Sequence, residues 1–119
     1  LLELVDFSTK NVDFIKGVND KKLIQKVIHN DVFNISGLKQ IIHEYAYEDD
    51  GVSGVIDCLV IGEDEIRIID FKLKNIDDSN YDKQLRTYKR YISKIANNKL
   101  IKMYLLSIVN NELREVKDE

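Results

Sequence analysis

The stretch SGVIDCLVIGEDEIRIIDFKL, residues 53–73, decides how this chain is read. It holds two runs rich in aliphatic and β-branched residues, Ser53 to Ile61 and Glu65 to Leu73, joined by Gly62-Glu63-Asp64. Such runs on either side of a short polar connection predict an antiparallel hairpin. With Glu63 and Asp64 as the turn, closed by Gly62 and Glu65, Asp57 falls opposite Asp70. Residues two apart on a strand share a face, so Asp70 and Lys72 project together while Phe71 points into the opposite layer. The same register predicts Val55, Leu59, Ile66 and Ile68 on the face of Asp57, Asp70 and Lys72. The two carboxylates then stand at the polar end of an apolar surface, which is costly unless a cation or water compensates them.

The chain has no proline, so the flanking elements are read from Gly, Asn and Asp clusters and from periodicity. Upstream, His43 to Glu48 has strand character and reaches the hairpin through Asp49-Asp50-Gly51, which makes a meander of three antiparallel strands. Before it, Leu23, Ile24, Val27 and Ile28 follow helical spacing from Asp20, a plausible N-cap, to about Asn30, and a short helix is expected from Ser36 to Ile42. Downstream of the turn-rich stretch Asn75 to Asn80, the positions Tyr81, Leu85, Tyr88, Ile92 and Ile95 trace one helix face, closed by Asn97-Asn98. Leu100 to Val109 reads as a buried strand, followed by a polar tail. The order predicts an α/β fold: a mixed sheet between flanking helices, with the last strand reached by a helical crossover.

At 119 residues, 44% hydrophobic and 33% charged, the chain accommodates one domain, 1–119, with one core. No apolar run approaches the roughly 18 residues that span a bilayer, and Leu1-Leu2-Glu3-Leu4-Val5-Asp6 lacks the basic start of a signal peptide. The expectation is a soluble, cytoplasmic protein without a membrane partner. The missing initiator Met and the abrupt apolar start point to a piece of a longer polypeptide. Cys58 is the only cysteine, which excludes an internal disulfide and four-cysteine zinc or iron–sulfur sites, and it reads as a small core residue. A net charge of −3 argues against a surface that coats itself with nucleic acid, but not against an enzyme that receives a strand on one local face. No P-loop occurs, so this chain should not itself use ATP.

Two carboxylates and a main-chain carbonyl make a hard oxygen site suited to Mg²⁺ or Mn²⁺. Such a cation activates water for attack on a phosphodiester, and Lys72 would help position that water and offset developing negative charge. A D-x-K tripeptide on a strand is, by itself, usually a surface ion pair of small energetic value. Its weight here comes from the combination: Gly54-Val55-Ile56-Asp57 in one strand, Asp70-Phe71-Lys72 in the next, and Gln84-Leu85 to Tyr88 on the following helix.

These residues resemble the PD-(D/E)xK nuclease superfamily, and within it the RecB-like nuclease domains at the C-terminus of AddA-type and other UvrD-like helicases. The pattern G-x-x-D, D-Y-K and Q-L-x-x-Y is met at Gly54 to Asp57, Asp70-Phe71-Lys72 and Gln84 to Tyr88, with Phe71 in place of Tyr, over about Ile41 to Val109. The resemblance implies a restriction-endonuclease-like core, with Asp57, Asp70 and the Phe71 carbonyl as metal ligands and Lys72 as the catalytic lysine. Gln84 and Tyr88 would orient the lysine or contact DNA, although Tyr88 also fits the apolar stripe of its helix. The family also implies an upstream His ligand in a G-T-x-x-H pattern. Leu2-Glu3-Leu4-Val5-Asp6-Phe7 is similar to the family segment just C-terminal to that His, which would place the His before residue 1. His29 and His43 are poor substitutes, and Glu44 is at most an accessory acid opening the first strand.

The leading expectation is a Mg²⁺-dependent deoxyribonuclease module, working in DNA repair or recombination on a single strand delivered by a fused or associated helicase motor. The alternatives are a catalytically inactive nuclease-like domain used for DNA binding or partner contacts, and an unrelated small α/β domain with a chance D-x-K.

Overall fold

The computed structural model describes residues 26–118, apart from residue 97. Five strands form one sheet in the order β1-β2-β3-β4-β5: β1 Gln40–Asp49, β2 Val52–Ile61, β3 Glu65–Lys72, β4 Leu100–Ser107 and β5 Glu112–Val116. β1, β2 and β3 form the predicted antiparallel meander, and β4 lies parallel to β3 after a crossover through α1, Ser79–Ile95. A fifth strand pairs antiparallel with β4. The α/β class and the mixed sheet are therefore as expected, and the tight connection is too, with the Gly62 N–H donating to the Glu65 carbonyl at 2.8 Å.

The sheet is covered on both faces. On one, Val27, Ile28, Val32 and Phe33 pack against Cys58, Val60, Ile69, Tyr104 and Leu106. On the other, Leu85, Tyr88 and Ile92 of α1 pack against Leu59, Ile66, Ile68, Met103 and Leu105. A sheet sealed on both sides explains why β3 and β4 read as near-continuous aliphatic runs instead of alternating ones. Residues 26–28 are helical, a 3-10 turn spans Asp31–Phe33, and the rest of the helix expected from Asp20 lies outside the described residues. So do Leu2 to Phe7. The Arg67 guanidinium fastens the 3-10 turn to the sheet by donating to the carbonyls of Asp31, Val32 and Asn34.

Three expectations are corrected. The segment Ser36 to Ile42 is not a helix: Ser36 and Gly37 form a turn, with Gly37 at φ 64°, and β1 begins at Gln40. The adjacent pair Ile41 and Ile42 serves opposite faces of the sheet, one in each apolar layer, which a strand allows and a helix face does not. The polar tail is also not featureless, since β5 returns along β4 after Asn111, at φ 48°, turns the chain. Its ELREV sequence hides a strand because its buried contribution is mainly Val116, at 3% exposure.

The third correction concerns Val55, which is 49% exposed and leaves the face of Leu59. Leu59 and Ile56, three apart on β2, lie in the same apolar layer, and so do Ile42 and Tyr45 on β1. Alternation is thus interrupted on both strands at one level. The paired residues run from His43↔Cys58 to Tyr45↔Ile56 and skip Glu44 and Asp57, and Glu44 takes a left-handed φ of 51°. A residue in that region turns the strand, so the side chains flanking it no longer obey the two-residue period.

Candidate active site

The two acids meet where the sheet opens. β2 and β3 are paired from Ile61↔Ile66 to Cys58↔Ile69, and the next position in that register would set Asp57 opposite Asp70. There the ladder stops. The Phe71 N–H donates instead to Asp57 Oδ2 at 2.9 Å, so a carboxylate takes the place of a main-chain acceptor. Phe71 turns its ring to the other layer, 6.5 Å from that of Phe33, as the alternation on β3 predicts.

Asp70 is 4% exposed. Its carboxyl is hydrogen-bonded to that of Asp57, and Lys72 Nζ lies 2.9 Å from Asp70 Oδ2. That oxygen is buried and has charge compensation from the ammonium without a well-aligned hydrogen bond. Burial, and next the contact with Asp70, push the Asp57 carboxyl up to about 7, against the opposing pull of the Phe71 N–H and Lys72. The Asp57 carboxyl is therefore half-protonated near neutrality.

Tyr88 and Gln84 of α1 border the dyad. Tyr88 is 5% exposed, and its hydroxyl is pushed up to about 12, first by burial and then by the charges of Asp70 and Asp57. Gln84 is exposed and hydrogen-bonds to Tyr88. Tyr88 is thus both core and site wall. Its ring meets the edge of Tyr47 at 5.8 Å, and Tyr47 stacks on Tyr91 at 4.7 Å. This arrangement explains the glycine of the G-x-x-D pattern. Gly54 is paired with Tyr47, and a Cβ on it would stand 2.8 Å from Tyr47 Cε1.

Sequence reasoning misses Tyr81 and Tyr47 as site residues. The Lys72 ammonium sits 4.1 Å from the centre of the Tyr81 ring. In the sequence Tyr81 shows only as one more position on the apolar face of the helix. The signal that could have found it is a tyrosine three residues before Gln84, in the first turn of the helix that carries the motif. Tyr47 leaves no signal, because its role depends on strand pairing.

The remaining candidates stay away from the dyad. His29 is exposed and follows Val27 and Ile28, which pack in the layer of Cys58 and Ile69 on the other side of the sheet. His43, opposite Cys58, lies on the Ile41 side of β1, away from the layer that holds Ile68 and Asp70. Glu44 is exposed at the level of Asp57. Cys58 is fully buried in the other layer, and burial pushes its thiol up, so it is a small core residue.

Among the described residues no group of three or more His, Cys, Asp or Glu side chains is arranged for a metal ion. The donor set that exists is the Asp57–Asp70 pair. A buried carboxylate oxygen without an aligned donor, beside a second acid whose carboxyl is raised first by burial and next by its neighbour, fits a hard divalent cation. Such an ion would complete its shell with main-chain oxygen, phosphate and water. Compared with known proteins, the chain matches no family model and no curated protein.

Proposed function

We propose that this chain is the nuclease module of a DNA-processing protein, hydrolysing phosphodiester bonds with a divalent cation. The observation that carries the reading is the convergence of Asp57, Asp70 and Lys72 at one level of the sheet: Lys72 Nζ lies 2.9 Å from Asp70 Oδ2, and Asp57 accepts from the Phe71 N–H between them at 2.9 Å. Their resemblance to the PD-(D/E)xK pattern, in its RecB-like form, supports the same reading. On that resemblance the substrate is a single DNA strand fed by a helicase motor.

Asp57, Asp70 and the Phe71 carbonyl would hold Mg²⁺ or Mn²⁺, which when bound supplies Lewis acidity toward the phosphate and the attacking water. The protein's own residues do the rest. Asp57 stays in place beside Asp70 through the Phe71 N–H. Lys72 offers an ammonium beside the dyad, where it can hold a water by hydrogen bond and offset the charge that builds on the phosphoryl oxygens. Tyr88 and Gln84 wall the site on the α1 side.

The test is cleavage of single-stranded DNA with Mg²⁺ by the wild-type protein, Asp70→Ala and Lys72→Ala. The expected result is a loss of at least about 100-fold in both variants, in line with removal of one stabilising group from a polar active site. Equal rates in all three proteins would overturn the assignment.

A further inference from the structure

Lys72 is held from two sides. Asp70 Oδ2 lies 2.9 Å from its Nζ, and the face of the Tyr81 ring lies 4.1 Å from the same nitrogen. An ammonium over an aromatic face is attracted by the ring's quadrupole, more strongly where water is partly excluded, and the Lys72 side chain is only 24% exposed. A lysine stem is long and flexible, so one ion contact leaves its head free to pivot about the carboxylate. A second contact from another direction fixes it.

Tyr81 is itself fixed. It is the third residue of α1, its N–H donates to the Asp78 carbonyl at 3.1 Å, and the Asp78 side chain caps the helix by accepting from the Asn80 N–H at 2.8 Å. From β5, Arg114 donates to both carboxylate oxygens of Asp82, at 2.6 and 3.2 Å, and through Nε to the Ile76 carbonyl at 2.7 Å. One guanidinium therefore ties the loop leading into α1 and the first helical turn to the edge of the sheet. That turn carries Tyr81.

We propose that Tyr81 is a positioning residue that holds the Lys72 ammonium beside the Asp57–Asp70 dyad, and that Arg114 anchors the turn presenting it. The catalytic consequence rests on the proposed nuclease function, whereas the contact is a property of the fold. Without the ring, the lysine head samples orientations that do not serve a reacting phosphate. Tyr81 meets the lysine and not the substrate, so its loss lowers kcat and leaves KM in place.

Tyr81→Leu and Tyr81→Phe, made in the full chain, test this with two readouts. In proton NMR, the Lys72 ε-methylene signals, assigned by their disappearance in Lys72→Met, should lie upfield of those of other lysines through the ring current. The displacement should persist in Tyr81→Phe, vanish in Tyr81→Leu and shrink in Arg114→Met. In kinetics with Mg²⁺ and single-stranded DNA, Tyr81→Leu should lose about tenfold in kcat at unchanged KM, and the phenylalanine variant should recover most of it. Ordinary Lys72 shifts in the wild type, an unchanged kcat in Tyr81→Leu, or a change confined to KM would each overturn the positioning role. Unaltered Lys72 shifts in Arg114→Met would overturn the anchoring role. A wild-type protein that cleaves no DNA would overturn the nuclease reading instead, and the NMR comparison would still decide the contact.

Discussion

Asp57 is the residue on which the proposed chemistry and the stability of this protein pull in opposite directions. Its carboxyl is raised to about 7 by burial and by Asp70, against an ordinary value of about 4 in the unfolded chain. Between those values the folded state binds more protons than the unfolded one, so stability falls as pH rises. We therefore expect the protein, in chelator, to lose stability steadily from about pH 4 to about pH 7 and to level off above. Asp57→Asn should flatten that slope, as read from urea denaturation midpoints across the range. Asp82 acts with the opposite sign: Arg114 holds its carboxyl below the usual range, so its contribution is lost only as pH falls below about 4. The two windows do not overlap. A divalent cation should stabilise the protein by taking the place of the Asp57 proton, and the gain from Mn²⁺ should grow with pH toward 7 and be absent in Asp57→Asn.

At the scale of elements, the site depends on how β1, β2 and α1 interlock. Tyr47 on β1 fills the space that Gly54 on β2 leaves open, and from there it braces Tyr88 on α1. A methyl group at Gly54 would meet the far end of the Tyr47 ring, which would have to shift against Tyr88 and Tyr91 to admit it. Gly54→Ala should cost about 1–3 kcal/mol by overpacking, with Tyr47→Leu in the same chain recovering part of it. Equal denaturation midpoints for Gly54→Ala and the wild type would remove this account of the motif glycine. Arg114→Met tests the other clamp. Its bonds to Asp82 are partly solvated, so the expected loss is about 1 kcal/mol, with amide exchange accelerated over the first turn of α1 and unaltered in β3.

For the whole molecule, charge is distributed unevenly. The chain carries −3 overall, yet α1 bears Lys83, Arg86, Lys89, Arg90 and Lys94 against a single acid, Asp82. Arg86 donates to the Lys117 carbonyl, and Lys89 and Lys94 pair with Asp118 and Asp49. Lys83 and Arg90 have no acidic partner among the described residues, and they sit on the helix that also carries Gln84 and Tyr88. On the proposed nuclease function, the expected path of a DNA strand is along α1. Lys83→Glu with Arg90→Glu should weaken binding to a short single strand in Ca²⁺ and reduce the salt dependence of affinity by about one to two phosphates' worth. The same reversal at Lys39, beyond the start of β1, should leave both unchanged, and equal losses at the two places would refute a local binding face. Among the described residues no helix is long and apolar enough to cross a membrane.

What the sequence determined by itself is the hairpin and the residues it carries. Local chemistry sufficed there: aliphatic runs around Gly62-Glu63-Asp64 set the register that puts Asp57 beside Asp70, and the two-residue period put Lys72 with them. The stripe from Tyr81 to Ile95 likewise fixed α1, because a buried helix face writes its period into the chain, although Ile95, at the C-terminal end, is 58% exposed and outside the core. Other features needed the third dimension. Ser36 to Ile42 has helical composition but supplies one isoleucine to each face of a sheet, which only pairing with β2 reveals. β5 is held by its partner strand and by Arg114 more than by its own apolarity. The break in alternation at Glu44 and Asp57 arises between two strands and belongs to neither sequence alone. The meeting of Lys72 with the Tyr81 ring is of the same kind: the two are on different elements, and their contact depends on how α1 packs across the sheet.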